Sequence, residues 1–186
     1  MKKFMILLFV SIVFAISGTC YATDNQMQGI VKNNVYYNKT LGMKYTPLNG
    51  FTNLDGPEFD QFILFLVSTG NQGLSKMTDM VVIDKNDNVI LLAYGFLDMS
   101  ADDYIQAYAR NACSMKYIQC SDVSRTFFAG KSWAYFISSN SRSKYIDSIF
   151  ASDIGSSIVI TKVMLNESNF STNFLNDILY GFEIYR

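Results

Sequence analysis

The amino-acid sequence predicts an α+β fold in which an antiparallel β-sheet, arranged as a meander, carries two to three packed α-helices. Three observations support this prediction. Short runs of β-branched, aromatic and aliphatic residues are separated by clusters of turn residues, as is typical of strands. A few other segments place apolar residues at the spacing of a helical face. Short polar connections join successive strands, which favours antiparallel neighbours.

The chain begins with a segment of the kind that directs export. Lys2 and Lys3 precede an apolar run from Phe4 to Ile16, and small residues follow as far as Ala22. This order of basic, apolar and small-residue regions predicts a secretory signal peptide over residues 1–22. The apolar run has about 13 residues, fewer than the roughly 20 that cross a membrane. The mature chain is therefore expected to begin at Thr23.

The rest of the chain has the length of one domain. Removing residues 1–22 from the 186 leaves 164, which suits a single hydrophobic core. Residues 23–33 are polar and predict a flexible leader, and the α+β domain is expected over residues 34–186. We expect a secreted, periplasmic protein with no membrane span after cleavage. A lipoprotein anchored through Cys20 is the alternative, which Thr19 disfavours because Gly or Ala usually precedes the lipid-bearing cysteine.

The first half of the domain predicts a hairpin followed by a helix. Residues 35–37 and 43–46 carry strand-forming side chains on either side of a turn. Pro57 favours the first turn of a helix, and apolar residues then recur at helical spacing as far as Val67. Residues 62–67 are also compatible with a buried strand. Either way these apolar side chains are expected in the core, with an exposed docking patch as the alternative.

A second hairpin is predicted from residues 80–83 and 89–94, the clearest strand signals of the chain. In the connection, Asp84, Asn86 and Asn88 occupy alternate positions, as oxygen ligands do in an EF-hand loop. The positions that such a loop reserves for glycine and for a bidentate glutamate hold other residues. A polar hairpin turn is therefore the better interpretation.

The most secure helix is predicted over residues 100–115. Ser100 and Asp103 have the spacing of a capping box, and an apolar stripe follows them. Asp102 and Asp103 are adjacent acids, which raises the possibility of an acid–base pair. Neighbouring helical residues point about 100 degrees apart, and both acids lie at the positive end of the helix dipole. Capping is therefore favoured over catalysis.

The second half of the domain predicts four consecutive strands, then a helix and a closing strand. The four strands form a meander and are expected at residues 126–128, 133–137, 144–150 and 157–164. The final helix passes through residues 174–179, and the closing strand covers residues 182–185. Trp133 is either a platform on which a ligand stacks or a core residue, and the core is favoured because a lone strand tryptophan is usually buried.

Composition excludes several classes of function. Without Lys2 and Lys3 the chain has 13 basic and 16 acidic residues, and this net charge of about −3 disfavours nucleic-acid and anionic-lipid binding. The sequence contains no histidine, which excludes hydrolases built on Ser–His or Cys–His pairs and histidine-bound metals. No phosphate-binding glycine loop is present. We predict a protein that is not an enzyme, with no catalytic, cofactor-binding or metal-binding residues; binding residues cannot be assigned from these patterns.

Two cysteines remain after cleavage, Cys113 and Cys120. An even number of cysteines in an exported chain predicts a disulfide between them. Their spacing closes a short loop at the end of the predicted helix 100–115. Two buried thiols that never meet are the alternative, and a redox-active pair is disfavoured because the Cys-x-x-Cys spacing is absent.

The order of these elements resembles the PsbP-like superfamily, which includes bacterial envelope proteins of the DcrB type. The similarity rests on the hairpin at residues 37–50 with Pro47, Gly50 and Phe51 at its end, on the helix at 100–115, on the apolar-Gly-basic turn at 127–133, and on the terminal helix and strand at 175–185. Residues 53–75 and the cysteine pair have no place in the family pattern. The resemblance implies a non-catalytic scaffold that serves as an assembly factor, accessory subunit or binding module, with no shared catalytic residue.

Two functions from different classes follow. The first is a non-catalytic periplasmic accessory or binding protein that acts through protein–protein contacts with an envelope partner. The alternative is a periplasmic immunity protein that neutralises a secreted antibacterial toxin, for which a small acidic exported domain is suited. A third interpretation, an envelope enzyme working through Glu58 and Asp60 or through Asp147 and Asp153, requires two carboxyls held in one cleft.

Overall fold

Two antiparallel sheets and four α-helices form the predicted α+β fold within residues 29–95 and 98–186, the part of the chain that the computed structural model describes. The predicted signal peptide lies outside these residues. The strands are β1 (Ile30–Lys32), β2 (Val35–Asn38), β3 (Met43–Tyr45), β4 (Phe51–Asn53), β5 (Thr78–Asp84), β6 (Val89–Gly95), β7 (Ile118–Cys120), β8 (Ser124–Phe128), β9 (Lys131–Asn140), β10 (Tyr145–Ile154), β11 (Ser157–Asn166) and β12 (Phe182–Ile184).

The helices are α1 (Gly56–Ser68), α2 (Gln72–Met77), α3 (Ala101–Cys113) and α4 (Thr172–Tyr180). Eight strands form the larger sheet in the order β4-β5-β6-β11-β10-β9-β7, with β8 also paired to β9. The smaller sheet has the order β1-β2-β3-β12. One face of the larger sheet packs against α1, α2 and α3, and the other packs against the smaller sheet and α4. The domain is therefore a stack of layers with a core on each side of the larger sheet.

The predicted strands and helices are confirmed where they depend on local sequence pattern alone. Both predicted hairpins form, as β2–β3 and β5–β6, and β8 to β11 form the predicted meander. Residues 62–67 belong to α1 and not to a strand. Helix α3 begins as expected, because the Ser100 side chain accepts a hydrogen bond from the backbone N–H of Asp103.

Three features differ from the sequence prediction. The chain forms two sheets, because the closing strand β12 pairs with β3 instead of joining the meander. Ordered structure also begins before Asn34: the assigned leader includes β1, which a tight turn at Asn33 and Asn34 returns to β2. Both asparagines have positive φ, 52° and 62°, as a two-residue hairpin turn requires. The short elements α2, β4 and β7 were not predicted, since so few residues carry little periodicity.

The connection between β5 and β6 is a hydrogen-bonded turn made by the Asp84 carboxylate. That carboxylate accepts bonds from the backbone N–H groups of Asn86 and Asn88, at 2.8 and 3.0 Å, and from the side-chain amide of Asn88 at 2.8 Å. Asn88 is itself buried, and its side-chain oxygen accepts a bond from the backbone N–H of Asn166 on β11. These side chains act as turn residues, in agreement with the prediction.

The structure joins Cys113, at the end of α3, to Cys120, at the end of β7, by a disulfide. This is the pair expected from the sequence. Replacing both with serine is expected to lower the free energy of unfolding by about 2–3 kcal/mol, because the bond closes a short loop in the unfolded chain. Urea unfolding measures the loss, and intact mass under non-reducing conditions checks the bond. Two free thiols in the natively exported protein would contradict it.

Candidate functional site

The smaller sheet has one buried side and one side that faces solvent. Tyr36, Met43, Tyr45 and Phe182 point into the core between the two sheets and are buried. Successive side chains of a strand point to opposite sides of a sheet, so the residues between these four point away from the core. We call this second side the outer face. Its members are Ile30, Lys32, Val35, Tyr37, Lys44, Glu183 and Tyr185.

Aromatic and apolar side chains lie at the centre of the outer face. Tyr37 pairs with Ile30 on β1 and with Lys44 on β3. Its ring makes an edge-to-face contact with the ring of Tyr185, with centroids 5.2 Å apart. Ile30 is 65% exposed and Tyr185 is 36% exposed. The contact between the two tyrosines presents a preformed aromatic surface to solvent.

Charged side chains surround this aromatic centre. Lys44 and Glu183 lie opposite each other on β3 and β12, with Nζ and Oε2 3.3 Å apart. Such an exposed pair contributes at most about 1 kcal/mol to folding. Lys32 lies at the other end of the face, next to Val35. An apolar aromatic centre with a charged rim is the usual arrangement of a protein–protein interface.

A carboxylate on the larger sheet holds the outer face in place from behind. Asp79 lies at an irregularity in the pairing of β5 with β6, between Thr78 and Met80. A regular strand would turn Asp79 to the helix side with Val81, whereas the irregularity lets it reach the smaller sheet. It accepts hydrogen bonds from the hydroxyl of Tyr36, the side-chain amide of Asn38 and the backbone N–H of Gly29.

Burial and the Asp79 contact together keep the Tyr36 hydroxyl protonated. Burial first, and then the charge of Asp79, raise the pKa of the Tyr36 hydroxyl well above its ordinary value. The hydroxyl therefore stays protonated and donates to the carboxylate at any physiological pH. Because Tyr36 is the neighbour of Tyr37 in β2, this bond fixes the strand that carries the centre of the outer face.

A second charged pair lies under the helices, away from the outer face. Lys162 on β11 contacts Asp147 on β10, with Nζ and Oδ2 3.0 Å apart and their side chains only 15% and 25% exposed. Burial by itself lowers the pKa of Lys162, but Asp147 and Tyr108 together outweigh it and raise that pKa. The lysine is therefore charged and balances the aspartate. The buried Asp147 Oδ1 atom has no hydrogen-bond partner among the described residues.

The structure does not bring the carboxylates of the enzyme hypothesis together. Asp147 and Asp153 lie six residues apart on one strand, which separates them by roughly 20 Å. A glycosidase pair requires about 5 to 10 Å. Asp153 caps α3 by accepting the backbone N–H of Ala101 at 2.9 Å. Glu58 and Asp60 are exposed on α1, and because they are two residues apart in the helix their side chains point in different directions.

Trp133 belongs to the core, as expected, and is fully buried. Its ring stacks on Phe128 with centroids 4.4 Å apart, and its indole N–H donates to the backbone carbonyl of Phe128 at 3.1 Å. It therefore holds the β8–β9 hairpin together and offers no free face to a ligand. The adjacent acids at the start of α3 are also occupied: the Asp103 carboxylate accepts a hydrogen bond from the hydroxyl of the capping residue Ser100, and Asp102 pairs with Arg125.

Within residues 29–95 and 98–186, no group of three or more Cys, Asp or Glu side chains is arranged to hold a metal ion. No helix in the same part of the chain is long and apolar enough to cross a membrane.

Sequence reasoning did not assign the outer face. The run Val35-Tyr36-Tyr37 shows that one tyrosine must face away from the core, but the pattern does not say which. The partner strand β12, which supplies Glu183 and leads into Tyr185, comes from the other end of the chain. No pattern in the sequence near β12 indicates that this strand pairs with β3.

Comparison with solved structures shows a PsbP-like fold. The chain is similar to cyanobacterial PsbP (CyanoP) from Synechocystis sp. PCC 6803, whose solution structure superposes with a TM-score of 0.51 at 14% sequence identity. The match covers 81% of this chain and 91% of that chain. At this identity the likeness concerns the fold, and there the resemblance predicted from the sequence is confirmed. No family model matches the sequence, and no curated protein matches it.

Proposed function

We propose that this chain, which has a PsbP-like fold, is a non-catalytic accessory protein of the bacterial cell envelope that binds a protein partner through its outer face. The proposal includes export, with residues 1–22 removed and the mature protein in the periplasm. The disulfide between Cys113 and Cys120 supports export, because such bonds persist in oxidising compartments.

The outer face is the observation that carries the proposal. Tyrosine is enriched among the residues that dominate binding energy, since it buries a large area and loses little conformational freedom. Covering Ile30 or Tyr185 would contribute about 1–3 kcal/mol each by removal of apolar surface from water. Tyr37 already holds the Tyr185 ring in place, which lowers the entropy cost of binding. The charged residues at the rim would help to orient the partner protein; these are Lys32, Lys44 and Glu183.

The strands that carry this surface are rigidly supported. Asp79 ties both β2 and the backbone at Gly29 to the larger sheet, and Phe182 anchors β12 through its buried ring, 4.2 Å from the ring of Tyr45. A surface held by buried anchors needs little rearrangement on binding. The geometry therefore favours a preformed interface.

A quantitative pull-down from native envelope extract tests the proposal. The bait is the tagged protein, recovered from the envelope of an expressing bacterium, in wild-type form and with Ile30→Ser and Tyr185→Ser combined. The double variant is expected to reduce capture of the partner at least about 10-fold, a loss of roughly 1.4 kcal/mol or more. Leu64→Ser on α1 is the matched control, because Leu64 is 66% exposed and Ile30 is 65% exposed.

The identity of the captured protein separates the two functions proposed from the sequence. Resident envelope machinery supports an accessory role, whereas a single stoichiometric toxin supports the immunity alternative. Equal capture by all three baits would overturn the assignment of the outer face. An empty wild-type bait would contradict the protein-binding function itself. Intact mass of the same preparation checks export, with a chain beginning at Thr23 as the expected result.

A further inference from the structure

The two edges of the larger sheet differ in whether their backbone hydrogen-bonding groups are covered. At one edge, the outward backbone groups of β4 are covered by Asn34. Its side chain donates to the carbonyl of Phe51 at 3.0 Å and accepts from the N–H of Asn53 at 2.7 Å. The Asn53 side chain returns a bond to the Asn34 carbonyl at 2.6 Å. This asparagine takes the place of a further strand, which is one of the ways proteins protect a sheet edge.

At the opposite edge, β8 has an open side. A two-residue turn at Ala129 and Gly130 joins it to β9, and both residues have positive φ, 49° and 70°. In such a hairpin the flanking residues, Phe128 and Lys131, form the hydrogen-bonded pair. The backbone groups of Arg125 and Phe127 therefore point away from β9. No strand among the described residues pairs with that side of β8.

The side chains at this edge do not protect it in the usual ways. Phe127 is 70% exposed, and Val123 just before the strand is 38% exposed. The single charged side chain of β8, Arg125, is turned back onto its own molecule, where it binds Asp102 and donates to the Ser132 hydroxyl at 3.0 Å. β8 contains no proline. An exposed aromatic residue on an open strand edge is a site where a further strand can add.

We propose that β8 pairs with β8 of a second copy of this chain, antiparallel about a two-fold axis at Thr126. Only the backbone groups of Arg125 and Phe127 point outward, so Arg125 lies opposite the partner's Phe127, and the reverse. This register makes four backbone hydrogen bonds and places each exposed Phe127 ring beside the aliphatic stem of the opposing Arg125, whose guanidinium stays on its own Asp102. No like charges lie directly opposite each other.

The closed opposite edge explains why the pairing stops at two copies. An isologous contact uses the same strand of both molecules and leaves no β8 edge free. If the β4 edge were also open, sheets would add at both ends and form filaments. The cap made by Asn34 prevents this. Because two strands of five residues bury much less than the roughly 1,200 Å² of a stable interface, we expect a weak dimer. This inference is independent of the proposed envelope partner.

A cysteine at the two-fold axis tests the pairing. In the proposed dimer the Thr126 Cα atoms are about 4.5 Å apart, within the range for a disulfide. Mild oxidation of Thr126→Cys in the envelope-purified protein is expected to give a dimer linked through residue 126, identified by peptide mass. Ser124→Cys on the same strand is the control, because its two copies would be roughly 13 Å apart, and it should remain monomeric.

Sedimentation of the unmodified protein provides the second measurement. Its weight-average mass is expected to rise towards that of a dimer between about 10 µM and 1 mM, because an interface this small binds weakly, and Phe127→Lys should abolish the rise. A monomer across this range would overturn the proposal. A dimer that persists in Phe127→Lys, or one without the residue 126 cross-link, would also overturn it, because association would then use another surface.

Discussion

Asp79→Ala is expected to destabilise the domain by about 3–5 kcal/mol, because several donors lose one charged acceptor at once. Tyr36 and Asn38 bind this carboxylate through the hydroxyl and the side-chain amide, and both residues are 1% exposed, so water cannot readily replace it. The backbone N–H of Gly29 also loses its partner. Urea unfolding measures the loss in free energy.

The pattern of the Asp79→Ala effect distinguishes its cause. Hydrogen exchange should accelerate first in β1 and β2, since these strands lose their tie to the larger sheet. Tyr36→Phe, which removes one donor and leaves the carboxylate, should cost less, about 1–2 kcal/mol. Asp177→Ala on the exposed side of α4 is the control and should change stability by less than about 0.5 kcal/mol. Equal losses for Asp79→Ala and Asp177→Ala would contradict the anchoring role.

Lys162→Met is expected to destabilise the domain by about 2–4 kcal/mol at pH 7, because it leaves the Asp147 carboxylate without its counter-charge in a mostly buried site. The Asp147 Oδ1 atom already has no hydrogen-bond partner among the described residues, so little else compensates the charge. Combining Lys162→Met with Asp147→Leu should recover most of the loss, since both charges are then removed. If the double variant is as unstable as the single one, packing and not charge is the cause.

The pH dependence of this pair has a definite sign. The pKa of Lys162 is raised in the folded protein, because the interactions with Asp147 and then Tyr108 outweigh the lowering effect of burial. A raised lysine pKa contributes stability that is fully present below the unfolded value of about 10.4 and is lost as the pH rises through the folded value. The difference in unfolding free energy between wild type and the double variant should therefore be constant near neutrality. Above about pH 10.4 the wild type should lose stability relative to the double variant.

These two carboxylates show how the fold assigns different tasks to similar residues. Asp79 and Asp147 both lie on the larger sheet, on opposite sides of it. Asp79 reaches the smaller sheet and supports the outer face, whereas Asp147 balances a lysine beneath the helices. Asp153, which the sequence offered as a second catalytic acid, caps α3. Each carboxylate is thus occupied by a structural partner.

The fold class, the hairpins, the meander and α3 could be predicted from the sequence because each depends on neighbours a few residues apart. Continuous runs of β-branched and aliphatic residues determine β5 and β6, and the side chain of Ser100 caps α3 through a contact three residues away. The cysteine pair belongs with these, since Cys113 and Cys120 are separated by only seven positions. Local periodicity and capping are properties of a short segment and are readable in it.

Only the tertiary structure decided where distant segments meet. The pairing of β12 with β3 creates the smaller sheet and places Tyr185 against Tyr37. Regular strand alternation would point Asp79 towards the helices, and the irregularity in β5 points it towards the smaller sheet instead. Asn34 covers the edge of β4, which is distant from it in the sequence. These contacts depend on the packing of whole layers, whose energy is shared among many residues and leaves no pattern in any one segment. The local sequence thus determined the elements, and long-range packing determined both the outer face and the open edge of β8.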